Sequence, residues 1–281
     1  MNGKEKRMSR IFRGHERAII LPLDHGFSEG PIKGLEKLGD TLQKIMECKI
    51  VDSMILHGGP IKNNYQLLNN NDIGLIMHLS GSTALSTSGL LKIQTATVKE
   101  AVRMGCDAVS IHINLGNGYE AKMLQDTANI IQDCNDAGMP LIAMVYVRGD
   151  KIDNEWDIKY IKHAVRVMDE LGADMVKVNY CNSKSGFAEV IESCQIPVII
   201  AGGQQMDTES LLTMISNAMD CGAKGISIGR NIFQSDNYTE LLNDIHGIVH
   251  QNVRVDDLIG KYRLESKTTF MVNSNEIKAL A

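Results

Sequence analysis

One lysine stands in the middle of an apolar run, where a charged side chain is expensive to bury. Lys177 lies between Val176 and Val178 in the segment DMVKVNY, residues 174–180. Because successive strand residues point to opposite faces, valines packed against helices would turn Lys177 to the other face. An unpartnered ammonium is costly to desolvate, so burial would lower its pKa and favour the neutral amine, which can attack a carbonyl carbon. The alternatives are a structural ion pair and a strand end that reaches solvent.

Other residues suited to acid–base chemistry stand at the ends of similar apolar runs. Five further runs end in such residues, and the set is Asp24, His25, His57, His78, Ser110, His112, Asn114, Tyr146 and Arg148. A lone histidine is usually structural, but polar residues from six runs on one rim predict an active site. Lys92 and Lys184 fall in predicted loops and are weaker candidates for the reactive amine.

The last two apolar runs end in glycine. Gly202 and Gly203 close one of them, and Gly229 followed by Arg230 closes the other. Glycine lets backbone N–H groups approach an anion, and arginine adds a bidentate charge. A glycine pair alone could be a tight turn, but together the two ends predict a phosphate-binding site.

Eight apolar runs must position these residues. They are short and rich in Ile, Val and Met, and they predict strands over 18–24, 51–57, 73–79, 108–114, 141–147, 174–180, 197–203 and 225–230. Helical periodicity separates them, so the sequence predicts an α/β fold, a single (β/α)8 TIM barrel with parallel strands. An open doubly wound sheet is disfavoured, because DHGFSEGP after the first strand lacks the G-x-G-x-x-G pattern.

A local motif repeats where predicted helices give way to strands, at 104–111, 171–178 and 221–228. In each copy a helix is expected to end at a glycine, Gly105, Gly172 or Gly222. Nothing marks a linker, so the chain is predicted to be one domain over 1–281, with the barrel at about 11–251. The remainder, 252–281, is predicted to be a tail that contacts a partner or is disordered.

Composition excludes several classes of protein. The 281 residues carry a net charge of −5 without any run of Lys or Arg, which disfavours nucleic-acid binding and polybasic membrane binding. The six cysteines lack metal-ligand spacing and are predicted to be reduced and mostly buried. No signal peptide or apolar run of membrane-spanning length is found, so a cytoplasmic protein is expected.

A lysine, a phenol and a carboxylate beside a phosphate site are the groups that a Schiff-base aldolase needs. The amine forms an iminium with a ketone, and the iminium withdraws electrons from the adjacent C–C bond. Tyr146 could shuttle protons during dehydration, while Asp24 could accept or return the hydroxyl proton. The phosphate site would hold the substrate with its carbonyl near Lys177.

At these residues the chain resembles the archaeal-type class I fructose-bisphosphate aldolase family, and within it the 2-amino-3,7-dideoxy-D-threo-hept-6-ulosonate synthases more closely. The resemblance runs from about Met8 to Gln251. It is carried by the segments LPLDHGFSEGPIKGL, MILHGG, IMHLSGSTA, MGCDAVSIHINLG, MPLIAMVYVRG, LGADMVKVNY, PVIIAGG and GAKGISIGRNIFQ. It implies a phosphorylated ketose or dihydroxyacetone phosphate as donor, an aldehyde acceptor, and a role in aromatic amino acid biosynthesis. It also implies a homo-oligomer and suggests a decamer of two rings.

The resemblance implies roles for individual residues. Lys177 would form the Schiff base, Tyr146 would donate a proton and Asp24 would accept one. With the rim histidines added, the predicted substrate- and phosphate-binding residues are His25, Gly26, Phe27, Ser28, His57, His112, Val147, Arg148, Gly202, Gly203, Gly229 and Arg230. No metal and no cofactor are expected.

The sequence departs from the synthase pattern at one position that affects the substrate. LHKG reads LHGG here, with Gly58 in place of a lysine, and a cation missing from the rim would leave the aldehyde acceptor open. The alternatives are a fructose-bisphosphate aldolase and an aldolase that joins dihydroxyacetone phosphate to aspartate semialdehyde in secondary metabolism.

Three further hypotheses for the function involve no Schiff base. One is a metal-dependent barrel enzyme with Asp24, His57, His78 and His112 as ligands, although the H-x-H and H-E-x-x-H patterns are absent. Another is a phosphate-binding barrel without a covalent intermediate, such as a flavin oxidoreductase or an isomerase. A noncatalytic scaffold is the last.

Overall fold

Eight parallel strands close into a barrel in the computed structural model, which describes residues 3–69, 72–260 and 262. The strands in chain order are β1 (Ala18–Pro22), β2 (Ser53–Leu56), β3 (Gly74–His78), β4 (Ser80–Gly81), β5 (Ile93–Gln94), β6 (Ala108–Leu115), β7 (Leu141–Val147), β8 (Met175–Val178), β9 (Val198–Ala201) and β10 (Gly225–Ser227). The order around the barrel is β1-β10-β9-β8-β7-β6-β3-β2, while β4 and β5 form a separate antiparallel pair. The predicted TIM barrel and its eight strands are confirmed.

Helices occupy most connections between the barrel strands. They are α1 (Gly3–Ile11), α2 (His25–Glu29), α3 (Leu38–Cys48), α4 (Gly58–Asn63), α5 (Tyr65–Leu68), α6 (Val98–Arg103), α7 (Glu120–Ala137), α8 (Ile158–Leu171), α9 (Lys184–Glu192), α10 (Thr208–Asp220), α11 (Arg230–Phe233) and α12 (Tyr238–Gln251). Residues 255–260 are also helical, so the predicted tail begins with a helix. Its remainder, 263–281, lies outside the described residues.

The repeated motif forms the predicted helix-to-strand turns. Gly105, Gly172 and Gly222 have φ angles of +73°, +94° and +98°, a left-handed region that residues with a Cβ adopt at a cost. Each follows the end of a helix and reverses the chain toward the next strand. These glycines therefore set where β6, β8 and β10 begin.

Two apolar cores lie on opposite sides of the strands. The outer core packs strand residues such as Val176 and Val178 against the surrounding helices. The inner core fills the barrel with residues from alternate positions, including Ile142 and Met175, and α1 contributes Ile11 to it. The predicted alternation is confirmed, and it turns the position of Lys177 toward the barrel interior.

Three aspartates at the N-terminal end of the barrel link neighbouring strands. Asp52, Asp107 and Asp174 accept backbone hydrogen bonds from Ile19, Leu75 and Leu141, at 2.7, 3.0 and 2.9 Å. Each also pairs with a basic group at 2.8 Å, from His250, Arg10 and Lys4 respectively. Asp107 and Asp174 occupy the same position in the repeated motif, which gives this part of the motif a structural role.

All six cysteines are free thiols. Cys106, Cys134 and Cys181 are buried, whereas Cys48, Cys194 and Cys221 are partly exposed, so half of them rather than most are buried. Among the described residues, no helix has the length and apolar character needed to cross a bilayer.

Candidate active site

A pocket of about 510 Å³ lies at the C-terminal end of the barrel strands. Barrel enzymes of this fold place their chemistry at that end. Most of the predicted site residues line it, namely Asp24, His25, Ser28, His112, Tyr146, Arg148, Lys177, Gly202, Gly203, Gly229 and Arg230. The structure thus brings together residues that span more than 200 positions of the chain.

Lys177 enters this pocket from β8 and is only 6% exposed. In the parallel register it lies between Met144 of β7 and Ile199 of β9, both of which belong to the inner core. No hydrogen bond or ion pair of its amine is recorded within the described part of the chain. The two structural alternatives for Lys177, an ion pair and a solvent-exposed strand end, are therefore not supported.

Asp24 follows β1 and lies at the same end of the barrel. Its carboxylate oxygens are 3.6 Å from His25 Nδ1 and 3.7 Å from His78 Nε2. Burial acts to raise the pKa of Asp24, but interaction with His78, then with His25 and Lys177, lowers that pKa to about 2, because the imidazoles are protonated in the acidic range where the carboxyl titrates. Asp24 is therefore ionised at neutral pH and suited to accept a proton.

The histidines around Asp24 are held in their neutral form. Burial lowers the pKa of His78 to about 4, although Asp24 opposes the shift, and burial also lowers the pKa values of His25 and His57. The Nδ1 atom of His78 is 2.8 Å from the Ser110 hydroxyl, which orients the ring. The site thus combines an ionised carboxylate with uncharged imidazoles.

Tyr146 reaches the pocket from β7. Its ring lies 4.9 Å from the His112 ring, and the Arg148 guanidinium stacks over it at 4.6 Å from the centroid. Arg148 Nε also donates to Glu155 at 2.6 Å. These contacts fix the ring while no partner of the phenol oxygen is recorded among the described residues, so the phenol is free to bind substrate.

Glycines form the opposite wall of the pocket, after β9 and β10. A Cβ on Gly202 would lie 2.7 Å from Ile228 Cγ2, and one on Gly229 would lie 2.6 Å from His25 Cε1. Asn231 donates to the carbonyl oxygens of Gly202 and Gln204, both at 3.1 Å. The close packing keeps backbone groups at the pocket surface, as a phosphate site requires.

Four predicted binding residues do not line the pocket. Val147 points into the outer core, because it alternates with Tyr146 along β7. Gly26 and Phe27 lie in α2, where Phe27 is 40% exposed and stacks on His57 at 4.6 Å between ring centroids. His57 lies near Asp24 but outside the pocket lining.

The glycine that replaces the synthase lysine does not face the pocket. A Cβ on Gly58 would meet Met77 Cε at 2.7 Å and Glu100 Oε1 at 3.5 Å. A side chain at this position would start toward α6, outside the pocket lining. That Gly58 removes a cation from the rim stays a prediction, because a long lysine side chain can carry its amine well away from its Cβ.

Several lining residues were not identified as site residues from the sequence. Asn179 and Ser227 follow the inward alternation of β8 and β10, so the strand pattern contained a signal for them. Glu155, Trp156 and Lys92 come from connections between elements. Strand periodicity carries no information about such residues.

One cluster could hold a metal ion. Ligand atoms of Asp24, His57 and His78 lie within 4.8 Å of one another, and His112, the fourth ligand that the sequence offered, is not part of this group. That no metal takes part stays a prediction, which activity in the presence of a chelator tests.

Comparison with known proteins identifies the family. Residues 18–235 match the model of the DeoC/LacD family aldolases. The chain is 39% identical over 259 residues to 2-amino-3,7-dideoxy-D-threo-hept-6-ulosonate synthase 1 of Archaeoglobus fulgidus, covering 92% of this chain and 95% of the relative. It is 34% identical over 257 residues to 2-amino-4,5-dihydroxy-6-oxo-7-(phosphonooxy)heptanoate synthase of Streptomyces griseus, covering 89% and 93%.

A solved structure agrees with these relatives. An archaeal fructose-1,6-bisphosphate aldolase, with its catalytic lysine covalently bound to the carbinolamine intermediate, superposes with a TM-score of 0.81 at 27% identity, covering 88% of this chain and 99% of that one. The fold, the family model and the relatives all indicate the same class of enzyme as the buried lysine does. The chain belongs to the DeoC/LacD family of aldolases and is a class I enzyme that works through a lysine Schiff base.

Proposed function

We propose that the protein acts as a 2-amino-3,7-dideoxy-D-threo-hept-6-ulosonate synthase. In this reaction a three-carbon unit passes from a deoxyhexodiulose phosphate to L-aspartate semialdehyde. The observation that carries the proposal is Lys177, which is buried, has no ion pair among the described residues, and shares with Asp24 a pocket that has a glycine wall. The Archaeoglobus relative, with 39% identity along nearly the full chain, supports the choice of reaction.

The roles of the three central residues follow from their surroundings. The Lys177 amine attacks the donor ketone, and loss of water from the carbinolamine gives an iminium. The Tyr146 phenol, with no partner recorded among the described residues, protonates the departing hydroxyl, and the phenolate regains a proton from the attacking water on hydrolysis. Asp24, ionised because of the charges near it, takes the hydroxyl proton as the C–C bond breaks and returns it when the new bond forms.

The phosphate of the donor would lie against the glycine wall. Backbone N–H groups near Gly203 and Gly229 would donate to it, and Arg230 would add charge. Arg230 NH1 is 3.7 Å from Glu29 Oε1, and its side chain remains 42% exposed, so the guanidinium keeps donors for a ligand.

Two alternatives share this mechanism and differ in substrate. The Streptomyces relative supports condensation of dihydroxyacetone phosphate with aspartate semialdehyde, and the solved neighbours support cleavage of fructose 1,6-bisphosphate. An assay of the purified enzyme with each substrate pair separates the three reactions. Turnover of fructose 1,6-bisphosphate without any use of aspartate semialdehyde would refute the proposed reaction.

The covalent step has its own test. Borohydride added with dihydroxyacetone phosphate should leave a reduced adduct on the peptide that contains Lys177, and omission of borohydride should leave none. Absence of an adduct, together with full activity of Lys177→Met, would refute the Schiff-base role of this residue.

We also infer a homo-oligomeric enzyme of the cytoplasm that serves aromatic amino acid biosynthesis. The similarity to the A. fulgidus synthase supports the biosynthetic role. The homo-oligomer and the cytoplasmic location are what the sequence resemblance implies. Sedimentation of the purified full chain measures the oligomeric state, and a monomer at the assay concentration would contradict the inference.

A further inference from the structure

Lys92 is a half-buried cation in the pocket that the proposed mechanism does not use. It precedes β5, in the connection between β4 and β6, and its Nζ donates to the Ser82 hydroxyl at 2.6 Å. No carboxylate partner of Lys92 is recorded among the residues that the structure describes. By contrast, the pocket arginines Arg148 and Arg230 each have a glutamate within 4 Å.

The electrostatic surroundings of Lys92 favour the binding of an anion. Burial, and after it the charge of Arg148, lower the pKa of Lys92. A neutral hydroxyl satisfies one of three ammonium donors and compensates little of the desolvation cost. An anion bound between Lys92 and Arg148 would relieve both the desolvation and the repulsion.

The position of Lys92 places that anion far from the glycine wall. Gly202 and Gly229 follow β9 and β10, whereas the β4–β5 pair lies beside β6 and follows β3. In the order β1-β10-β9-β8-β7-β6-β3-β2, the strands β6 and β3 stand opposite β10 and β9. The pocket is lined from both sides, with Lys177 on a strand between them.

The connection that carries Lys92 is held in place before any substrate binds. Asn114 at the end of β6 donates to the Leu90 carbonyl oxygen at 2.8 Å, and the Lys92 backbone N–H faces Met123 Sδ at 3.4 Å. The Ser82 hydroxyl donates in turn to the Gly89 carbonyl oxygen at 3.2 Å. Lys92 is therefore preorganised, which reduces the entropy lost on binding.

We propose that Lys92 binds the anionic group of the aldehyde acceptor, at the end of the pocket opposite the donor phosphate. The chemistry shared by the candidate acceptors is an oxyanion, the carboxylate of an amino-acid semialdehyde or the phosphate of a sugar aldehyde. This inference rests on the proposed function, because it presumes a donor held at Lys177.

The test compares charged and uncharged acceptors in the Lys92→Met variant. With dihydroxyacetone phosphate as donor, KM for L-aspartate semialdehyde or for glyceraldehyde 3-phosphate should rise about 10- to 100-fold, the effect of losing a charge-assisted hydrogen bond. KM for uncharged glyceraldehyde and kcat with it should stay unchanged. The acceptor whose KM moves more identifies the oxyanion as carboxylate or phosphate.

Two further variants control the experiment. Lys92→Arg should recover most of the affinity for charged acceptors, and Lys99→Met, an exposed residue of the nearby helix α6, should behave like the wild type. An equal effect on charged and uncharged acceptors, or none on either, would refute the role of Lys92.

Borohydride trapping separates this inference from the proposed function. Lys92→Met should still form the dihydroxyacetone phosphate adduct on Lys177 at the wild-type yield. A wild-type enzyme that forms no adduct either with dihydroxyacetone phosphate or with the deoxyhexodiulose phosphate donor would refute the proposed function and the Lys92 role with it. A normal adduct with unchanged acceptor KM would refute the Lys92 role alone.

Discussion

The two ends of the barrel differ in whether their charged side chains are paired within the protein. At the N-terminal end, Asp52, Asp107 and Asp174 each hold a backbone N–H and a basic side chain 2.8 Å away. At the C-terminal end, Lys177 and Lys92 have no recorded carboxylate partner within the described ranges. The first set of charges is paired within the protein, whereas we propose that a ligand pairs with the second.

The difference separates stability from function within one fold. Removing one partner of a buried ion pair leaves the other charge uncompensated, and this lowers the free energy of unfolding. A charge that faces a pocket contributes little to folding and much to binding and chemistry. Substitutions at the two ends should therefore affect different measurements.

The largest effect is expected at Lys177, with Lys4 at the other end of the barrel as its control. Lys177→Met should lower kcat/KM by about 10⁴-fold or more, because the amine that forms the Schiff base is lost. Lys4→Met removes the partner of Asp174 at the other end and should leave kcat/KM unchanged. Steady-state assays of both variants measure this, and equal losses of activity would contradict the division of roles.

Asp52 tests the stability side of the comparison. Asp52→Ala removes the hydrogen-bond partner of His250 and of the Ile19 N–H. The free energy of unfolding should therefore fall by about 3 kcal/mol. KM for the donor should remain that of the wild type. Urea unfolding measures the loss, with the exposed Asp256→Ala as control, and a stable variant with impaired substrate binding would reverse the assignment.

The neutral imidazoles of the pocket predict a pH dependence of stability. The pKa of His78 is lowered from 6.5 to about 4 in the folded chain, so the unfolded chain binds more protons between these values. The free energy of unfolding should therefore fall as the pH drops from about 6.5 to 4, and His78 should account for about 3 kcal/mol of the fall. His78→Asn should flatten the profile, while the exposed His163→Asn should leave its slope unchanged.

The smallest effect concerns two buried hydroxyls that have no hydrogen-bond partner among the described residues. Ser227 Oγ lies at the pocket and Ser53 Oγ lies at the start of β2, toward the other end. Ser227→Ala should raise KM for the phosphorylated donor about tenfold, the effect of one lost hydrogen bond to a charged group. Ser53→Ala should leave KM unchanged, and a shift in both variants would show that packing rather than binding is responsible.

Strand periodicity predicted both the fold and the inward set of site residues. The alternation that turned Lys177 inward also turns Val147 outward, yet Val147 was included because it stands between Tyr146 and Arg148 in the family segment. Strand residues are predictable because a two-residue period decides their face.

Residues outside the strands were harder to place. Phe27 lies within α2, and His57 lies between β2 and α4. Their rings stack on each other, and neither residue lines the pocket. Lys92 was a weak candidate in a loop, and its place in the pocket depends on a hydrogen bond from Asn114 to the chain near it. Such tertiary contacts have no period in sequence.

The glycine wall has a consequence for how this enzyme can change over evolution. Gly202 and Gly229 leave no room for even one methyl group, so single substitutions cannot adjust the phosphate end by small steps. Side chains supply the opposite end, and one substitution at a time can alter their charge and length. With the acceptor at Lys92 and the donor phosphate at the glycine wall, as we propose, mutation near Lys92 can change the acceptor while the donor phosphate stays the same.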